Sequence, residues 1–84
     1  MPAKPETEPL ADLPIGVRAV VDRVSCARSV AVRLYEMGLV PGTSVSVTRI
    51  APLGDPLELE VRGYSLSIRR LEAREVLVKR ASDP

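Results

Sequence analysis

The sequence contains no histidine, phenylalanine or tryptophan, a single cysteine and two tyrosines in 84 residues. Each shortage removes a class of function. Without histidine the chain lacks the usual general base and the commonest metal ligand. Cys26 therefore has no imidazole to turn it into a nucleophile and no second thiol with which to share a zinc ion. A lone cysteine also forms no internal disulfide, so a reducing cytosol is the expected compartment and Cys26 reads as a small apolar loop residue. The scarcity of aromatic rings removes the stacking platforms of single-strand binders and the aromatic groove of a proline-peptide receptor. Charge is short too. Twelve basic and eleven acidic side chains leave a formal +1, too little for the electrostatic attraction that drives nucleic-acid binding. No apolar run approaches the roughly 18 residues of a membrane span, and the N-terminal residues do not read as an export leader. No phosphate loop, dinucleotide motif or paired-carboxylate signature is present, and no enzymatic activity is expected.

What remains is an ordinary folding composition, 45% hydrophobic and 27% charged, in one small domain. Residues 1–8, with prolines at positions 2 and 5, read as a tail, residues 9–80 as the folded unit and residues 81–84 as a C-terminal tail. Leu10 and Leu13, three apart and followed by Pro14, suit one helical turn. Between Val17 and Val24, alternation puts Val17, Ala19 and Val21 on one face. Arg23 then falls on that face, which implies a bulge or strand end near Asp22.

From Ser29 to Leu39 the period changes, with Val30, Leu34 and Met37 forming one helical stripe. Ser29 is the expected N-cap, and Gly38 is expected to close the helix in the left-handed conformation with Leu39 packing back on Leu34. Val45 and Val47 alternate with serines and Thr48. Leu57, Leu59 and Val61 alternate with Glu58, Glu60 and Arg62, and Tyr64, Leu66 and Ile68 follow beyond Gly63. Pro52 to Pro56 is a tight turn, Leu71-Glu72-Ala73 a helical turn, and Val76 with Val78 a last strand. The expectation is a mainly β, small SH3-like five-stranded antiparallel barrel with one short helix after the first strand.

Two charged groupings read as solvated surface. Arg69, Arg70, Arg74, Lys79 and Arg80 are interleaved with Glu72 and Glu75, and Glu58 with Glu60 is expected to be neutralised by Arg62. Neither is assigned a metal or a nucleic acid. A docking surface is sought instead among apolar side chains that the core periodicity leaves over. Tyr35 lies off the helical stripe, Val40 follows the helix and Leu53 sits at the tip of a turn, so these three form the expected partner-binding patch.

The run Arg33-Leu34-Tyr35-Glu36-Met37-Gly38-Leu39-Val40-Pro41-Gly42 resembles the FeoA family, small accessory proteins of bacterial ferrous iron transport. A second block follows in register: Pro52, Gly54-Asp55-Pro56, Gly63, and Leu66 to Ala73 with Arg69 and Glu72. The resemblance covers Leu10 to about Lys79 and departs from the family at Val24 to Ser29, where this chain has no glycine. It implies an SH3-like barrel in the cytosol, open to recruitment to the inner face of the cell membrane, that docks on the cytosolic part of the membrane-embedded FeoB transporter and modulates uptake. It implies no cofactor and no metal site in this chain, iron being the partner's cargo. The alternative is a carboxylate-based metal-sensing module or an unrelated protein-interaction barrel.

Overall fold

The computed structural model describes residues 7–25 and 27–81; the readings of Cys26 and of residues 1–6 and 82–84 lie outside the described residues. Strand β1 (Thr7–Pro9) leads into a 3-10 turn (Leu10–Asp12) and β2 (Arg18–Val24). Helix α1 (Arg28–Glu36) precedes β3 (Ser44–Ile50), and a second 3-10 turn (Pro52–Gly54) precedes β4 (Leu57–Val61) and β5 (Tyr64–Ile68). A four-residue helix, α2 (Arg70–Ala73), leads to β6 (Val76–Arg80). All pairings are antiparallel, in one sheet ordered β1-β6-β2-β3-β4-β5.

The fold is mainly β, as the alternation predicts, but it has six strands where the sequence reading counts five. The additional one is β1, in which Thr7 and Glu8, assigned above to a tail, pair with Lys79 and Val78. Two prolines near a polar segment hide such a strand, yet an edge position tolerates them because one side of the strand needs no donors. α1 consequently follows the second strand.

Alternation decides which side chains meet. Ala19 and Val21 of β2, Val45 and Val47 of β3, Leu57, Leu59 and Val61 of β4, Ile68 of β5, and Val76 and Val78 of β6 are all buried in one cluster. Leu10 and Leu13 drop from the first 3-10 turn onto the same core, and Leu34 and Leu39 enter it from the helix and its exit. The bulge foreseen near Asp22 is present, since the β2–β6 register shifts between Val21 and Arg23. The β3–β4 ladder shifts likewise between Val47 and Arg49.

Ion pairs tie the edges and differ from the expected ones. Arg49, not Arg62, meets Glu58 at 3.2 Å, Lys79 lies 3.8 Å from Asp22, and Glu72 contacts Arg33 of α1. Arg80 holds Glu8 at 2.6 Å across the β1–β6 edge. The hydrogen bond from Arg80 keeps the Glu8 carboxyl below the usual carboxylate range, its attraction to the guanidinium acting in the same direction and partial desolvation against both.

A group whose folded pKa is depressed contributes stability above its unfolded pKa and loses it as the pH falls through the folded value. Glu8→Gln should therefore lower the melting midpoint slightly at pH 7. The difference should vanish as the pH falls from about 4.3, the ordinary glutamate value, through the lower folded one. Thermal melts of the two proteins from pH 7 to pH 2 check this, and the effect should be small because both groups are partly exposed.

Candidate partner-docking surface

Helix α1 presents two faces. Ala31 and Leu34 are buried, with Val30 and Met37 partly covered, so the expected stripe is met and Ala31 joins it. Val32 and Tyr35, three apart and hence neighbours on the helix surface, are left exposed. The helix begins two residues earlier than Ser29 as N-cap suggests. Ala27 occupies the N-cap without a side-chain bond, and its carbonyl accepts the amides of Val30 and Ala31. Ser29 lies within the first turn.

The helix end follows the sequence closely. Gly38 has φ 103°, its amide donates to the Tyr35 carbonyl at 2.9 Å, and the Leu39 amide donates to the Leu34 carbonyl at 3.1 Å. This double closure satisfies carbonyls that the helix leaves open and turns the chain so that Leu39 is buried on the core with Leu34. Val40 stays exposed at the start of a turn through Pro41 and Gly42, whose Gly42 amide donates to the Val21 carbonyl at 2.8 Å.

Tyr64 completes this corner. Its hydroxyl donates to the Met37 carbonyl at 2.6 Å, and a Cβ placed on Gly38 would overlap that hydroxyl. Alternation assigns Tyr64 to the core side of β5 with Leu66 and Ile68, but the ring is 44% exposed. It follows the two-residue turn Arg62-Gly63 at the margin of the sheet, and that turn was the available signal. Tyr35, Val40 and Tyr64 thus surround the Gly38 corner, with Val32 one helical turn before Tyr35. Two tyrosines beside apolar side chains suit partner binding, because such rings offer apolar area with a polar tip and lose few torsions when covered.

Leu53 lies elsewhere. It is fully exposed, with φ 74°, in the turn beyond Ile50 and Leu57. The Gly38 corner sits against Val61 and Tyr64, at the other end of β4. Four strand steps separate Leu57 from Val61, about 14 Å. The structure therefore brings Tyr35 and Val40 together with Tyr64 and places Leu53 at the opposite end of the sheet. There, Arg70 fixes the turn by donating from Nε to the Gly54 carbonyl at 2.8 Å and from its amide to Asp55 Oδ1 at 2.9 Å. Leu71, also exposed, follows Arg70. The basic run is thus partly structural, since Arg70 anchors a turn while the Arg69 amide donates to Glu72 Oε1 at 3.0 Å.

Among the described residues no three His, Cys, Asp or Glu side chains gather where they would hold one metal ion, and no helix is long and apolar enough to cross a membrane. No buried side-chain nitrogen or oxygen among them lacks a hydrogen-bond partner.

Comparison with known proteins gives a consistent set of relatives. The FeoA domain model matches residues 8–80. Over 70 residues the chain is 36% identical to the Fe(2+) transport protein A/Fe(2+) transporter FeoB fusion protein of Porphyromonas gingivalis, covering 83% of this chain and 8% of the fusion protein. The chain thus spans less than a tenth of that relative's length. The solution structure of FeoA from Chlorobium tepidum aligns with TM-score 0.80 and 41% identity over 87% of this chain and 70% of that one. FeoA of Stenotrophomonas maltophilia, crystallised with zinc, aligns with TM-score 0.72 and 35% identity over 83% of this chain and 87% of that one. That protein is described as a prokaryotic SH3 domain protein and put forward as a bacterial ferrous iron transport activating factor.

Proposed function

Since the chain belongs to the FeoA family, we propose that it is a non-enzymatic accessory protein of ferrous iron transport that docks on the cytosolic part of a FeoB-type transporter and modulates uptake. The observation that carries this reading is the fusion of a homologous segment to FeoB in one polypeptide, an arrangement that keeps two partners at high effective concentration. The geometry supports a binding role. Apolar side chains that a core would cover are held outward at the Gly38 corner by backbone hydrogen bonds and the Tyr64 clasp.

Tyr35 and Val40, on either side of Gly38 in the chain, form the proposed main contact together with Tyr64, whose hydroxyl bonds the Met37 carbonyl beside them, and Leu53 a second contact at the other end of β4. Iron in this reading is the transporter's cargo. The chain acts in the cytosol at the inner membrane face, where the transporter's soluble domain is exposed. Immobilised chain should retain the purified cytosolic domain of the transporter and release it to excess free chain. Retention no greater than on a blank support would count against the proposal.

A further inference from the structure

On the outer face of β2, β3 and β4 the sheet carries a hollow of about 150 Å³ lined by Arg18, Ser44, Val45, Ser46, Glu60, Arg62 and Gly63, its Arg62-Gly63 end adjoining Tyr64 of the Gly38 corner. The register explains how it is assembled. Arg18 stands opposite Ser46, and Ser46 opposite Glu60, in one row across three strands. Ser44 lies two residues from Ser46 on the same face, and Arg62 with Gly63 closes the end of the hollow at the β4–β5 turn. We propose that this hollow binds a small phosphate group between the guanidinium groups of Arg18 and Arg62, over the Ser44 and Ser46 hydroxyls.

Two observations carry the assignment besides the hollow itself. Arg62 has φ 50° and Gly63 φ 91°, the pairing of a tight hairpin turn whose first position favours Asn, Asp or Gly. An arginine there holds a strained backbone conformation for an L-residue, and such outliers gather where a side chain has work at a site. Arg18 and Arg62, like Arg28 and Arg74, make no ion pair and no side-chain hydrogen bond among the described residues, so their guanidinium groups are open to a ligand, whereas Arg23, Arg33, Arg49 and Arg80 each have a carboxylate. Planar guanidinium forks suit the oxygens of a phosphate, and hydroxyls complete its shell.

The volume sets the size of the ligand. Pockets for larger organic molecules run from about 300 Å³ upward, so the hollow takes a phosphate group and little more. Glu60 is the one carboxylate in the lining. It offsets part of the positive field and offers an acceptor to a hydroxyl of the bound species.

The test is an amide NMR titration at constant ionic strength with inorganic phosphate, glycerol 3-phosphate and, as a planar control, acetate. Phosphate should move the Ser44, Ser46 and Gly63 amides along saturable curves, with acetate at least fivefold weaker. Tighter binding of the ester would assign the ligand to a hydroxyl-bearing monoester, and tighter binding of the ion to free phosphate; both support the site. Arg62→Gly removes the guanidinium where glycine accepts the backbone conformation, so the fold is kept; it and Arg18→Gln should each weaken binding at least fivefold. Glu60→Gln should tighten it. A linear, non-saturating response, an equal response to acetate, or unchanged binding in Arg62→Gly would overturn the proposal.

Discussion

Replacing Gly38 by alanine is expected to lower the melting midpoint by about 8–24 °C. An L-residue at φ 103° meets the backbone clash that costs about 1–2 kcal/mol in left-handed conformations. The new methyl also overlaps the Tyr64 hydroxyl, so the ring must shift and its bond to the Met37 carbonyl is lost, at about 1 kcal/mol. Together these reach about 2–3 kcal/mol, and each kcal/mol moves the midpoint of a domain this size by about 4–8 °C. Tyr64→Phe alone should cost about 1 kcal/mol. The double change should cost less than the sum, because removing the hydroxyl removes the overlap. A Gly38→Ala midpoint within 2 °C or so of the parent would mean that the Gly38 corner is not built as described.

Tyr35→Ala is expected to weaken binding to the transporter's cytosolic domain by about tenfold or more, since buried tyrosines at interface centres are commonly worth above 1 kcal/mol and 1.4 kcal/mol is a factor of ten. The side chain lies on the helix face away from Leu34, so the variant should melt much closer to the parent than Gly38→Ala does. Leu53→Glu reports separately on the other end of the sheet. A charge on a fully exposed turn leaves folding intact, and the loss of binding should be smaller than for Tyr35→Ala. If Leu53→Glu alone abolishes retention, the docking contact lies at the Pro52–Gly54 end. If both variants bind like the parent, the exposed arginines Arg69 and Arg74 become the surface to examine.

The residues differ in how openly they announce these arrangements. Strict alternation from Leu57 to Val61 forecasts a strand because one face must be apolar and the other wet, and the burial along β4 follows it. The break at Arg23 foretells the bulge for the same reason. Gly38 declares the helix end because few other residues tolerate its φ. Strand β1 is illegible, since its stability comes from pairing with β6 some seventy residues away and not from any pattern of its own. Ser29 is a good cap by residue type, but the chain turns into the helix at Ala27, and capping preference yields to that path. The docking set shows the same limit. Periodicity marks Tyr35, Val40 and Leu53 as unclaimed by the core, but only the ladder shows that β4 stands between Leu53 and the other two. Tyr64 is hidden from such a pattern because alternation counts side chains by face and ignores the end of a strand, where a ring can reach a neighbouring helix end.

The most direct measurement is a calorimetric titration of the parent chain into the purified cytosolic domain of a FeoB-type transporter, with Tyr35→Ala run beside it. The account predicts a saturable isotherm for the parent with a defined stoichiometry, and an isotherm at least tenfold weaker for the variant. Absence of binding by the parent at concentrations up to the millimolar range would contradict it.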